Sequence, residues 1–277
     1  MPSLASQPQE ATNLLRTAAP DATNNDIQQN QSAKNRINHP KTNGINTSLP
    51  SRSPTPQRQL YIPHPDDALL DPGTARVNLA VFNETPNGTP SWREKHAHQT
   101  VLQQHCSYWD PDADGIIWPL DIYRGCAAWG WHPLLCLLVT IIIAGSMSYP
   151  TLPAGRYLPD LWFRIYLNNI HKCKHGSDSN TYDQEGRFRP QQFEDFFAKY
   201  DAGSKRGVDL YDLARAHKGQ RLLCDPFGWT ASMLEWLALY LLIWPKDGIL
   251  SKDDCRASYD GSIYQRKADE FAAKRIR

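Results

Sequence analysis

No two cysteines of this 277-residue chain stand at C-x-x-C spacing. The six, at 106, 126, 136, 173, 224 and 255, are spaced too irregularly for a zinc site or a disulfide framework. They read as reduced thiols of a cytosolic compartment. The run His171, Cys173, His175 suits a strand or an extended loop better than a tetrahedral metal site. An excess of either charge is also missing. Lys+Arg is 30 and Asp+Glu is 29, for a formal net charge of +1. That balance leaves no footprint for nucleic acid, and no nucleic-acid partner is expected. The first thirty residues hold no apolar run flanked by basic residues, so no secretory signal is read there. The sequons at Asn46, Asn83 and Asn87 are therefore expected to stay unused. Residues 1–75 contain one aromatic, Tyr61, amid Pro, Asn, Gln, Ser and Thr. Such a stretch cannot bury enough apolar surface to offset its ordering entropy, and a disordered polar tail is expected.

Apolar residues concentrate further along. All nine tryptophans and seven of the eight phenylalanines lie beyond residue 90. Phe193, Phe196, Phe197 and Tyr200 recur at i, i+3, i+4, i+7, the stripe of an amphipathic helix. Met233, Leu234, Leu237, Leu241 and Trp244 predict a second, with Asp225 and Pro226 near its start. Period-two alternation is scarce, so the fold class expected is mainly α.

Between Arg124 and Arg156 the chain has no Asp, Glu, Lys or Arg. Leu134 to Ala144 reads LLCLLVTIIIA. That run is short for a bilayer, whose core needs about 20 apolar residues. Extension back to Cys126 reaches spanning length but enlists Trp129, Gly130, Trp131, His132 and Pro133, residues that suit a membrane interface. A helix cannot continue through Pro150, Pro153 and Pro159. Three readings stay open: a core helix of a soluble domain, a bilayer span, and a segment that dips into a lipid surface and turns back at the prolines. The third is adopted.

The most specific signal is Asp110-Pro-Asp112-Ala-Asp114-Gly115-Ile116-Ile117-Trp118-Pro119-Leu120-Asp121. It has the spacing of an EF-hand loop, whose hard cation takes six to eight oxygens. Asp110, Asp112 and Asp114 stand at positions 1, 3 and 5 and supply carboxylates. Gly115 permits the turn at position 6, and Ile116 donates a backbone carbonyl. Trp118 at position 9 cannot chelate. Pro119 suits the first turn of an exit helix. Asp121 takes position 12 in place of the common bidentate Glu, which predicts weaker Ca2+ affinity and poorer discrimination against Mg2+. EF-hand loops pair, and two relics offer themselves as partners: Trp244 to Leu250, with an Asp-Gly-Ile centre, and Asp183 to Phe188.

Taken in order, four stretches resemble the caleosin family: LQQHCSYWDPDADGIIWPLDIYRG; the uncharged segment ending in Pro150, Pro153 and Pro159; NNIHKCKHGSDSNTYDQEGRF; and GWTASMLEWLALY followed by KDGILSKDDCRASYDGS. The resemblance runs from about Leu102 to Tyr264. It implies a calcium-binding haem protein of the lipid droplet and the cytosolic face of the endoplasmic reticulum membrane. It also implies a peroxygenase that moves an oxygen atom from a fatty-acid hydroperoxide to an unsaturated fatty acid. The partners implied are a lipid monolayer or that membrane, and a homo-oligomer is compatible with it. The family's two haem-associated histidines match His105 and His175, and its calcium loop matches Asp110 to Asp121. The prolines here are spaced more widely than in the proline knot of plant members.

Read from chemistry alone, a neutral imidazole suits haem iron as an axial ligand. A peroxygenase needs one iron face free, so one histidine would be the ligand and the other would assist, by moving a proton during O–O cleavage. The sequence leaves open which is which. Without a CxxCH motif the group would be non-covalent haem b. His105 lies on the helix entering the metal loop, which suggests that calcium orients it. An enzyme, a structural droplet protein and a calcium sensor all remain possible, and the two histidines favour the enzyme. The expected organisation is a disordered tail (1–75), an approach region with the EF-hand loop (76–125), an apolar lipid-associating segment (126–160) and a C-terminal helical domain with degenerate EF-hand-like loops (161–277).

Overall fold

A computed structural model of the chain describes Leu69 and residues 71–276. The expected tail therefore lies almost wholly outside the described residues. A short helix, α1 (Trp92–Lys95), leads into α2 (Val101–Ser107). Thr100 starts α2 with a capping box. Its hydroxyl accepts the Gln103 N–H at 3.3 Å, and the Gln103 carbonyl oxygen accepts the Thr100 N–H at 2.9 Å. The acidic loop follows, with β1 (Ile116–Ile117) inside it and α3 (Pro119–Ala128) leaving it. Pro119 is the first residue of α3, where its missing donor costs nothing. The chain breaks at 129–132 and turns into α4 (Pro133–Met147), which packs back along α3. α4 stops before Pro150. Then come β2 (Ile165–Tyr166), a 3-10 helix (Leu167–Cys173), α5 (Pro190–Tyr200), β3 (Gly207–Val208), α6 (Leu210–Gln220), α7 (Pro226–Ile243), β4 (Leu250–Ser251), α8 (Lys252–Tyr259) and α9 (Ser262–Ile276). The mainly helical expectation holds. Of the run His171, Cys173, His175, the first two lie in the 3-10 helix and not in the strand or extended loop their alternation suggested, while His175 lies in the irregular stretch that follows.

The strands are two residues long and pair two by two. In the acidic loop, β1 pairs antiparallel with β2, Ile116 opposite Tyr166 and Ile117 opposite Ile165. β3 pairs with β4, Gly207 opposite Ser251 and Val208 opposite Leu250. The relic at Trp244 to Leu250 thus does pair, but not with the acidic loop. Its partner is a loop the sequence reading passed over, residues 201–212. That loop repeats the acidic loop's hydrogen bonds. Asp201 accepts the Arg206 N–H at 2.9 Å, as Asp110 accepts the Gly115 N–H at 3.0 Å. Asp212 accepts the Asp209 N–H at 3.4 Å, as Asp121 accepts the Trp118 N–H at 3.1 Å. Lys205 replaces the position-5 carboxylate, and its Nζ lies 2.5 Å from both Asp209 and Asp212. The chain supplies its own cation there. The other relic, Asp183 to Phe188, closes a turn on itself, Asp183 accepting the N–H groups of Glu185 and Arg187 at 2.9 Å.

Two apolar clusters follow from this pairing. One joins Cys106, Ile117, Ile122, Cys126, Cys136, Ala144, Ile165 and Ile170 beneath the acidic loop. The other gathers Phe193, Phe196, Phe197, Tyr200, Val208, Leu250 and Ile263 beneath the lysine-bearing loop. The α5 stripe read from periodicity is buried throughout. α4 is turned inside out by comparison. Its buried residues are the small Cys136, Thr140 and Ala144, while Leu134, Leu137, Leu138, Ile141 and Ile142 are exposed. α7 corrects the reading of its stripe as an ordinary amphipathic face. Its buried positions are Gly228, Ser232 and Leu239, and Met233 and Leu237 point outward.

Candidate active site and acidic loop

Asp110, Asp112 and Asp114 bring carboxylate oxygens within 4.8 Å of one another. Gly115 makes the turn with φ of +80°. One oxygen of Asp110 accepts the Gly115 N–H, and the other, Oδ1, is buried without a hydrogen-bond partner. Burial raises the Asp110 pKa, and the charges of Asp112 and Asp114 add to it against the Gly115 hydrogen bond. Crowded like charges around an orphaned buried oxygen fit a divalent cation. Asp121 stands apart from the three, its carboxylate turned to the Trp118 N–H at 3.1 Å. Ile116 is fixed by its pairing with Tyr166, and its N–H goes to Asp114 at 2.7 Å.

Behind this loop lies a partly open cavity of about 270 Å³ between the two apolar clusters. His105 and His175 both line it, with Trp109, Trp129, Tyr182 and Tyr264. His105 sits on α2 and its Nδ1 is 2.7 Å from the Ser258 carbonyl. A carbonyl only accepts, so Nδ1 carries the hydrogen and Nε2 keeps a lone pair. Burial lowers the His105 pKa despite the Ser258 bond and the charges of Glu235 and Asp260, so the ring is neutral. Tyr264 Oη lies 3.4 Å from both ring nitrogens, beside the edge of the imidazole. Gly261 lets the Ser258 turn approach α2. A Cβ there would stand 2.6 Å from the Gln104 carbonyl and 2.9 Å from the His105 Cα, and its φ is +77°.

His175 is in the opposite state. Its Nδ1 is 2.6 Å from the Gly176 carbonyl and its Nε2 is 3.0 Å from Glu235 Oε1. Both partners accept, so both nitrogens carry hydrogen and the ring is a cation. Burial works against that charge, but the hydrogen bond and charge of Glu235 outweigh it, with help from Gly176 and Asp178, and hold the pKa up to about 9. Ser177 donates to Asp225 at 2.6 Å, and Asp225 caps α7 by accepting the Gly228 N–H at 2.9 Å. The KHGSD turn is thereby tied to the helix that carries Glu235. Glu235, Ser258 and Tyr264 were missed by the sequence reading. Only Glu235 left a signal, as the one charge in the apolar run of α7.

The six cysteines are free thiols, and Cys106, Cys126 and Cys173 line the cavity. Burial pushes the Cys126 and Cys173 thiols up to about 12, so they are unreactive at neutral pH.

Fold and site define a helical protein with an acidic loop backed by a two-histidine cavity. The family model described as "Caleosin related protein" matches residues 97–268, and the chain belongs to the caleosin family. It is 35% identical over 211 residues to "Peroxygenase" of Lilium longiflorum, covering 76% of this chain and 87% of that one. It is 35% identical over 173 residues to "Probable peroxygenase 4" of Arabidopsis thaliana, 62% of this chain and 88% of that one. A "Probable inactive peroxygenase-like protein" of Arabidopsis thaliana is 32% identical over 146 residues, 52% of this chain and 67% of that one. No solved structure matches. Peroxygenase, the enzyme class expected from the sequence, is the activity for which the first two of these relatives are named.

Proposed function

We propose that the chain is a calcium-binding haem peroxygenase working on fatty-acid hydroperoxides at the surface of lipid droplets or the cytosolic face of the endoplasmic reticulum. The observation that carries this reading is the contrast between two histidines in one cavity, one neutral with an Nε2 lone pair met only by the long 3.4 Å contact of Tyr264 Oη, and one charged and hydrogen-bonded at both nitrogens. Because one relative is named as inactive, the site has to support the activity and family membership alone cannot. His105 fits an iron ligand: its Nδ1–H is anchored on Ser258, which orients the ring and raises the basicity of Nε2. His175 does not fit one, since Glu235 occupies its Nε2. When bound, haem b supplies the iron at which a hydroperoxide O–O bond is cleaved and one oxygen passes to an unsaturated acceptor. The charged His175 would supply a proton to the oxygen that leaves the hydroperoxide, and Glu235, which accepts its Nε2–H until then, keeps the ring charged. The apolar lining, with Ile117, Ile122, Ile143 and Leu239, accepts an acyl chain and excludes water.

Asp110, Asp112 and Asp114 would hold Ca2+, with the Ile116 carbonyl and Asp121 completing the set after Asp121 leaves the Trp118 N–H. α2 ends at Ser107, close to Asp110, so the ion orients the helix that carries His105. The exposed aliphatic face of α4 rests on lipid, in keeping with the family and with its inverted burial pattern. The test is full-length protein expressed with ample haem. It should purify with a haem absorption band and transfer labelled oxygen from a fatty-acid hydroperoxide to an unsaturated fatty acid. In Asp110→Ala, calcium binding should be lost and turnover should fall. Protein without haem, or without transfer of the label, would favour a non-enzymatic structural protein of the droplet.

A further inference from the structure

The outward face of α7 has no place in the site described. It is an 18-residue helix apolar enough for a membrane, yet only 17% of it is buried, which separates it from the core helix of a soluble protein. Met233 and Leu237, one turn apart on its outer side, are 49% and 45% exposed, and Trp244, which caps its C-terminal end, is 69% exposed. Its one charged residue, Glu235, is turned to His175 on the cavity side. The outer face also offers water little. The Thr230 hydroxyl bonds back to the Pro226 carbonyl at 2.9 Å. On α4 the same holds for Ser146, bonded to Ile142 at 2.7 Å. Hydroxyls satisfied within their own helix are what hydrocarbon surroundings require. Arg221 and Lys246 are exposed beyond the two ends of α7, where cations meet headgroup phosphates. Trp244 stands at the C-terminal end, a position suited to the lipid–water boundary.

α4 and α7 do not pack along each other, and the cavity lies between their inner faces. Val139, Ile143 and Met147 contribute from α4, and Trp236, Leu239 and Leu242 from α7. We propose that α7 is a second lipid-contact helix, seated beside α4 on a phospholipid surface, and that acyl substrates reach the cavity from the lipid phase between the two. This rests on the reading of α4 as lipid-associating, and it adds the partner surface of α7 and the route of the substrate.

The test uses full-length protein and phosphatidylcholine vesicles in a flotation assay. Met233→Glu/Leu237→Glu changes two exposed positions that do not line the cavity, so the fold and turnover of a short water-soluble hydroperoxide should be unchanged. Partition onto vesicles should fall about tenfold or more, and KM for a long-chain hydroperoxide presented in vesicles should rise with kcat unchanged. Met233→Gln/Leu237→Gln gives an uncharged second variant, expected to act in the same direction should the glutamates disturb folding. Leu138→Glu/Ile141→Glu on α4 is the reference. If only the α4 variant lost vesicle binding, the role of α7 would be overturned and the lipid reading of α4 would stand. If the wild-type protein did not float, the lipid reading itself would fail and this proposal with it. A wild-type dimer dissociated by the α7 change, with flotation intact, would make this face a contact between copies and overturn the proposal.

Discussion

Replacing Glu235 with Gln keeps the shape of the His175 contact and removes its charge. In the wild type the ring is held up to about 9, against an ordinary value of 6.5. That difference corresponds to about 3 kcal/mol. The Glu235 side chain is 58% exposed, and water screening reduces the contribution to about 1 kcal/mol. A raised folded-state pKa means that the folded protein binds the extra proton. The stabilisation is therefore fully present below about pH 6.5 and is lost as pH rises through about 9. Urea unfolding of wild type and Glu235→Gln should differ by about 1 kcal/mol near pH 6 and by nothing above about pH 9.5. Nuclear magnetic resonance titration of labelled histidine should move the His175 midpoint from about 9 down toward or below 6.5. A stability difference independent of pH, or an unmoved midpoint, would refute the charged-pair account.

Asp121→Glu lengthens the arm at position 12, and calorimetric titration should find tighter Ca2+ binding and a wider margin over Mg2+; equal values in both proteins would contradict the reading of that position. Lys205→Asp removes the ammonium that bridges Asp209 and Asp212 and restores a carboxylate at position 5, so calcium stoichiometry should rise from one ion to two, and a stoichiometry that stays at one would sink the idea that Lys205 stands in for a metal. Gly261→Ala forces a Cβ onto the backbone of α2 at positive φ and should cost about 2–4 kcal/mol in denaturant unfolding, with weakened haem retention; a change under about 0.5 kcal/mol would show that the turn yields freely.

The parts of this protein legible in its sequence are those whose information is local. Asp110, Asp112, Asp114 and Gly115 specify a loop within six residues, and Pro119 marks the helix that follows. Phe193 to Tyr200 spell out their face because charged and polar residues separate the aromatics. The stripe of α7 has no such contrast. Apolar residues surround that helix on nearly every side, so periodicity locates a helix without telling which side is buried. Pairing was harder still. Ile165–Tyr166 gives the acidic loop its partner without a single metal-loop signature. The 201–212 loop hides behind Gly203, Lys205 and Arg206 where acids and glycine are usual, and only its hydrogen bonds disclose it. The resemblance singled out His105 and His175 but could not separate their roles. Ser258 and Glu235 do that from 153 and 60 residues away, distances over which sequence spacing carries no information.

His105 as the proposed haem ligand and His175 as the proposed proton donor are separable by one measurement. Absorption spectroscopy of full-length His105→Ala and His175→Gln, purified with ample haem and normalised to protein, tests these roles most directly. His105→Ala should lose the haem band, while His175→Gln should keep it and lose hydroperoxide turnover. A haem band kept in His105→Ala and lost in His175→Gln would contradict them.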